Sequence, residues 1–303
     1  MKYRTKLWTS ISAAALLAAG SAVSGMATPN PASSPAQGET ARDGTANTSH
    51  GAANSSKDIP GSYRIAQGEG GEGGEGGEGG EGGESGIDPA AAAKDPVLFL
   101  SALDVIRAHY LAGEAMLDED GGRKQAGQMF AHPISEIYVD LEPVFEAQGA
   151  APFVDDMVDA VTLAVGDGPV DDVKAAVARV YAALDVTAAK APASDRDPAA
   201  IEAALTAAMF DRAAKQYDAA MSAAGTDDAW IDGYGFSAVA EKRATGLLPL
   251  IEADHEGLAQ ALATAGVLFA NAYKSPVKPA APAVEPGALL AASSRILLKT
   301  SSF

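Results

Sequence analysis

The stretch "DPVLFLSALDVIRAHYLAGEAML", residues 95–117, decides the fold class of this chain. Asp95 followed by Pro96 is a typical helix start, because aspartate caps the first turn and proline is tolerated at the first helical position. Apolar side chains then recur three and four residues apart, which is the spacing of one face of an α-helix. These apolar positions include Phe99, Ala102, Leu103, Ile106, Tyr110 and Leu117. The stretch therefore predicts a helix that packs against other helices.

Alanine-rich segments with the same period continue to about residue 273, and strand patterns are hard to find. We therefore predict an all-α fold, a helical bundle of about seven helices over residues 88–275. A loop near residue 195 suggests two possible halves, 88–191 and 197–275. Residues 276–303 read as a proline-rich tail with a short apolar helix that could pack against the bundle.

Prolines and glycines predict where the helices break. We expect Pro133 to end one helix and start the next, with His132 as the capping residue of the new helix. A second interruption is expected near Gly246 and Pro249, with a restart capped by Asp254.

The first 27 residues have the pattern of a secretory signal peptide. A basic start is followed by an Ala- and Leu-rich segment at 10–22 and by small residues at Gly25 and Ala27. The apolar segment is shorter than the roughly 20 residues that a membrane span needs, so we expect no stable span after the signal is removed. An uncleaved N-terminal anchor is the alternative. The pattern predicts a periplasmic or secreted protein.

Residues 28–87 are expected to form a disordered tether. Ser, Pro, Asn, Thr, Gly and Ala dominate up to residue 67, and residues 68–86 then read GEGGEGGEGGEGGEGGESG. Glycine on this scale resists ordering, and the regularly spaced glutamates repel one another. We interpret the repeat as a flexible anionic spacer. The alternative is a low-affinity collector of cations for a site downstream.

Composition excludes several classes of function. The formal net charge is −18, and removal of the signal would take away three basic residues and no acidic ones. A surface this acidic repels phosphate backbones and anionic lipid, so nucleic acid is excluded as a partner and cations are favoured. The chain contains no cysteine, which rules out disulfides, thiolate metal ligands and a lipid on a lipobox cysteine.

The stretch "MFAHPISEIYVDLEP", residues 129–143, is the densest in candidate chemistry. It places His132, Glu136 and Asp140 four residues apart, and such residues project from the same face of a helix. One imidazole with two carboxylates suits Fe, Mn or Zn. The alternative is the capped, solvated start of an ordinary helix, in which Glu136 only stabilises the helix dipole.

His109 is the fourth candidate ligand. It lies at the edge of the apolar face of the first long helix and is expected to point toward partner helices. The helices that carry His109 and His132 are joined by a short connection, and such helices usually pack antiparallel. We therefore predict a metal site formed by His109, His132 and Glu136, with Asp140 in support. The alternative for His109 is a hydrogen-bonded core histidine.

Two other stretches carry weaker signals. Asp254, His255 and Glu256 are consecutive and diverge around a helix, so helix capping is the preferred interpretation. Residues 230–244, WIDGYGFSAVAEKRA, combine aromatic and small side chains and are interpreted as core packing that allows a close approach. The chain has no G-x-S-x-G, H-E-x-x-H, phosphate-loop or dinucleotide motif, so we do not expect an enzyme.

Residues 68–148 resemble uncharacterised exported bacterial proteins that join a Gly-Glu repeat to a His…His-Pro-x-x-Glu-x-Tyr helical unit. That unit here is His109, His132, Pro133, Glu136 and Tyr138. More distantly, the chain is similar to imelysin-like periplasmic iron-uptake proteins, which are exported, acidic and all-α. The imelysin signature has His-x-x-Glu shortly after a glycine, whereas His132 is followed by glutamate at the fourth position. None of that family's ligands is therefore carried over.

These observations favour a periplasmic metal-binding protein associated with uptake or handling of iron or another divalent cation. Its expected partners are the metal cation and an envelope protein or permease. The alternative is a non-catalytic structural or interaction module of the cell envelope. A hydrolase of unknown substrate is the third option.

Overall fold

A computed structural model describes residues 86–301 of the chain. The expected signal peptide at 1–27 and nearly all of the expected tether at 28–87 lie outside the described residues. Within 86–301 the regular structure is entirely helical, which confirms the all-α prediction. No helix in this part of the chain combines the length and the apolar composition required to cross a membrane.

The described residues form ten α-helices and one π-helical segment, more than the expected seven or so. They are α1 Pro89–Ala92, α2 Pro96–Leu117, α3 Arg123–Pro133, the π segment Ile134–Tyr138, α4 Val139–Ala147, α5 Val154–Val165, α6 Val170–Ala188, α7 Pro198–Met221, α8 Asp227–Ile251, α9 Glu256–Ala272 and α10 Pro286–Thr300.

Helix α2 lies at the centre of the bundle. Helix α2 packs against α3 and α6, which precede the loop at residues 189–197 in the sequence, and against α7 and α8, which follow that loop. Fourteen of its 22 residues are buried, so α2 is enclosed around most of its circumference rather than along one face. The burial extends to polar side chains, among them Asp104 and His109, which therefore need partners inside the fold.

The expected break at Pro133 is wrong. His132 lies in the last turn of α3, and the helix passes through Pro133 directly into the π segment and then α4. Proline cannot donate the hydrogen bond of a regular helix and crowds the preceding turn. The chain accommodates it by widening, and the Val139 N–H donates to the Ile134 carbonyl five residues back.

The expected interruption near Gly246 and Pro249 is also misplaced. Helix α8 runs through both residues to Ile251, and the break falls at residues 252–255. Buried Leu247 and Ile251 keep this last part of α8 packed on the core, which outweighs the local preference for a break. The cap position of α9 is held by His255, without a side-chain cap bond, rather than by Asp254.

The C-terminal tail packs onto the bundle. Helix α10 contacts α7 and α9, and it buries Leu289 and Ile296 completely. The segment before it is fixed by Tyr217, whose hydroxyl donates to the Val284 carbonyl at 2.9 Å and accepts from the Val284 N–H at 3.2 Å.

Candidate metal centre

Three side chains predicted from the sequence meet inside the bundle. One potential ligand atom each from His109, His132 and Glu136 lies within 4.8 Å of the other two. The distance from His109 Nε2 to Glu136 Oε2 is 3.7 Å. The two imidazole rings meet edge to face, with centroids 6.1 Å apart. These three residues could hold a metal ion.

The backbone of α2 orients the imidazole of His109. The Nδ1–H of His109 donates to the Val105 carbonyl oxygen at 2.8 Å. A carbonyl oxygen only accepts, so the proton of the neutral ring lies on Nδ1 and the lone pair lies on Nε2. Metal-ligating histidines are commonly fixed in this way by a second hydrogen bond to a backbone carbonyl. Nε2 is thus the atom presented to Glu136.

The end of α3 and the π segment position the other two ligands. His132 stands in the last turn of α3, and Glu136 lies within the π segment four residues later. The widened turn changes the direction in which side chains leave the helix, and such π-helical turns occur frequently at functional sites. Both side chains are half-buried. The proline that was expected to separate them instead introduces the turn that carries Glu136.

The structure adds a carboxylate that was not selected from the sequence. Asp232 on α8 places Oδ1 3.4 Å from His109 Nε2. That oxygen is buried and has no hydrogen-bond partner. Asp232 does not belong to the group of three side chains within 4.8 Å of one another. Its contact with that group is the one with His109. Asp232 lies in the stretch 230–244, whose aromatic and small residues predict core packing and give no sign of a ligand.

Gly235 allows α8 to approach α2 closely enough for Asp232 to contact His109. A Cβ placed on Gly235 would collide with the carbonyl oxygen of Ala108 on α2, so the two helix backbones touch at this point. Phe236, the next residue, packs edge to face on the His109 ring with centroids 6.0 Å apart. Asp232 precedes Gly235 by three residues and so lies on a neighbouring part of the same face. Helix α8 therefore covers the imidazole and supplies a carboxylate to it.

Burial sets the electrostatics of the centre. Burial lowers the pKa of His109, more than its hydrogen bond to Val105 and the nearby Glu136 raise it, and His132 lowers it further. The imidazole is therefore neutral at pH 7 and able to ligate a metal. Burial raises the pKa of Asp232 to about 6, with a counteracting effect of His132. Burial thus favours the neutral form of Asp232, and His132 offsets only part of this effect.

The remaining sequence candidates lie elsewhere. Asp140 is exposed on α4 and is not part of the group. His255 stands at the start of α9 and also lies outside it. Among the described residues, His109, His132 and Glu136 form the group of metal-type ligands that the fold assembles.

The donor set suits a divalent transition metal. Two imidazole nitrogens and a carboxylate oxygen are ligands shared by Zn²⁺, Fe²⁺ and Mn²⁺ sites. In a tetrahedral site with bonds of about 2.0–2.2 Å, neighbouring donor atoms lie about 3.3–3.6 Å apart. The distances from His109 Nε2 to Glu136, 3.7 Å, and to Asp232, 3.4 Å, are close to that spacing. The three ligand atoms lie within 4.8 Å of one another, so they have to draw closer together around an ion.

A second polar cluster lies about the cleft between α2, α6, α7 and α8. This cleft has a volume of about 360 Å³. Arg243 forms a bidentate contact with buried Asp104, at 2.5 and 2.8 Å, and a further contact with Glu202 at 2.5 Å. The guanidinium is thereby engaged by two carboxylates across three helices. We interpret this cluster as a structural ion-pair network that joins α2, α7 and α8.

Comparison with known proteins gives no match, whether to a protein-family model, to a curated protein or to a solved structure. Function is therefore inferred from the site itself.

Proposed function

We propose that this protein binds a divalent transition-metal ion through His109, His132 and Glu136. In our proposal it is an exported protein of the cell envelope that takes part in the uptake or handling of iron or another divalent cation. The proposed export depends on the signal-like residues 1–27, and the proposed link to iron depends on the similarity to imelysin-like proteins.

The observation that carries the proposal is the state of His109 Nε2. The other ring nitrogen is used in a hydrogen bond to Val105, so Nε2 presents a lone pair. That lone pair faces an oxygen of Glu136 at 3.7 Å, and His132 lies against the same ring. Electron-rich atoms that face one another in a buried site are stabilised by a cation between them. A metal ion bound between these atoms would offset their mutual repulsion.

The remaining sequence also favours a cation as the ligand. The chain is strongly acidic, with 40 Asp and Glu residues against 22 Lys and Arg. Negative potential raises the local concentration of cations and their rate of arrival at a site. The Gly-Glu repeat at 68–86 would contribute to this effect as a weak collector, whereas the half-buried ligand group would supply the specific site.

Isothermal titration of the full chain with Zn²⁺, Mn²⁺ and, without oxygen, Fe²⁺ tests the proposal. We expect one specific site per chain, distinct from weak binding by the acidic repeat. The double variant His132→Ala/Glu136→Gln should weaken that site by at least about 100-fold, since losing one supporting contact to a metal ligand already costs about 10–100-fold.

Two variants serve as matched controls. His255→Ala removes a histidine outside the group, and Asp140→Asn removes an exposed carboxylate from the same stretch of sequence. Both should bind metal with unchanged affinity. Equal titration curves for the wild type and the double variant would show that the predicted ligands do not form the site. An absence of any specific site in the wild type would refute metal binding altogether.

A further inference from the structure

The carboxylate of Asp232 is the group beside His109 that the three-residue site leaves without a role. Its Oδ1 is buried and without a hydrogen-bond partner. Buried carboxylate oxygens in folded proteins are almost always hydrogen-bonded or paired, because an unsatisfied one destabilises the folded state. The polar atom described next to Oδ1 is Nε2 of His109, at 3.4 Å. Nε2 carries a lone pair and cannot donate a hydrogen bond to Oδ1, because the ring proton is on Nδ1.

Charge gives the same indication. A histidine is neutral when it ligates a metal, so Glu136 is the one ligand of the three that offsets the charge of a divalent ion, and Arg212, whose positive charge acts on His109, adds to that charge. A second carboxylate cancels that charge and lowers the desolvation cost of the ion. Asp232 is the carboxylate next to the group, and His132 is already close enough to it to affect its pKa.

The position of Asp232 is fixed by its helix. Gly235 allows α8 to touch α2, and Phe236 packs on the ring of His109. Asp232 lies one turn before Phe236, so both side chains reach the same imidazole from α8. The backbone therefore holds this carboxylate beside Nε2 of His109, the same atom that faces Glu136.

We infer that Asp232 is the fourth ligand of the metal site and completes a His₂–carboxylate₂ tetrahedron with His109, His132 and Glu136. This inference rests on the proposed metal-binding function. To bind the ion, Asp232 has to turn from its contact with His109. The bound ion then links α8 to α2 and to the junction of α3 with the π segment. Four protein ligands close the coordination shell, as in sites that hold a metal rather than use it to activate water. The site thereby serves to retain a divalent ion.

Zn²⁺ titration of the full chain against a chromogenic chelator tests this inference. Asp232→Asn keeps the size of the side chain and removes its charge, and it should weaken Zn²⁺ binding by more than the roughly 10–100-fold that loss of an outer-shell partner costs. Glu241→Gln is the control, because Glu241 lies on the same helix, is exposed, and is removed as a charge in the same way. This variant should bind Zn²⁺ as the wild type does.

Bound Co²⁺ supplies a second readout that needs no variant to fold. A four-coordinate ion gives intense visible absorption, and a six-coordinate ion gives weak absorption. We expect the intense spectrum for the wild type and an altered one for Asp232→Asn. A weak six-coordinate spectrum in the wild type would contradict the closed shell.

The two proposals fail in different ways. Equal Zn²⁺ affinity of Asp232→Asn and the wild type, with loss of binding in His132→Ala, would refute the role of Asp232 and leave the three-ligand site intact. No specific Zn²⁺ binding by the wild type would overturn both proposals.

Discussion

The contact between α2 and α8 predicts that a glycine-to-alanine substitution has opposite effects on stability at two positions of α8. A Cβ at Gly235 would collide with the backbone carbonyl of Ala108, and neither backbone can move without disturbing the core. Overpacking of this kind costs about 1–3 kcal/mol. Gly246 lies on the same helix, is exposed, and has open space where a Cβ would be. Gly246→Ala should therefore stabilise the protein by about 0.5–1 kcal/mol, since alanine is the better helix former.

Thermal unfolding of the two variants measures this difference. For a domain of this size, 1 kcal/mol shifts the melting temperature by about 2–4 °C, so Gly235→Ala should lower it by about 2–12 °C and Gly246→Ala should raise it by a few degrees. Gly235→Ala should also weaken Zn²⁺ binding, because it pushes Asp232 and Phe236 away from His109. A Gly235→Ala protein as stable as Gly246→Ala would refute the close packing of α2 and α8.

Two further predictions concern carboxylates inside the fold. Arg243→Ala should destabilise the protein by about 3–5 kcal/mol, because it leaves the buried carboxylate of Asp104 without its bidentate partner; a chemical-denaturation midpoint equal to that of the wild type would contradict this. In the metal-free protein, burial raises the pKa of Asp232 from 3.8 to about 6, so the folded state binds its proton more tightly than the unfolded state does. The contribution of Asp232 to stability therefore falls as the pH rises from about 4 to about 6, by about 3 kcal/mol in total. Asp232→Asn removes the titrating group, so the stability of this variant relative to the wild type should increase between about pH 4 and pH 6. A difference in denaturation free energy that stays constant over this pH range would contradict the raised pKa of Asp232.

Local chemistry predicted the starts of the long helices well. The Asp95–Pro96 step predicts a helix start, and in the structure Asp95 accepts a hydrogen bond from the backbone N–H two residues on. Asp197, which also precedes a proline, caps α7 in the same way. Each of these hydrogen bonds joins residues only two positions apart, so such helix starts can be predicted from the local sequence alone.

Tertiary packing decided the positions where prediction failed. The local signal at both Pro133 and Pro249 favours a break in the helix. In the structure, Pro133 is followed by a π segment that continues the helical path, and Pro249 is held within α8 by the packed core around it. The burial of neighbouring apolar side chains outweighs the local preference at both positions.

The candidate site was predictable in part. His109, His132 and Glu136 come from helices adjacent in the chain, and a short connection between such helices brings their faces together. Asp232 comes from the other side of the 189–197 loop, about a hundred residues away in sequence. Its position depends on the contact of Gly235 with α2, which no local pattern encodes. Asp140 was expected from an ideal four-residue spacing, and the π turn between it and His132 breaks that spacing.

The central claim is that the imidazoles of His109 and His132 and the carboxylate of Glu136 bind one metal ion. The most direct test is anomalous X-ray diffraction from crystals of the Zn²⁺-loaded full chain, recorded on both sides of the zinc absorption edge. We predict one strong anomalous peak within about 2.0–2.2 Å of His109 Nε2, a ring nitrogen of His132 and an oxygen of Glu136. A zinc peak elsewhere on the protein, with none between these three side chains, would contradict the claim.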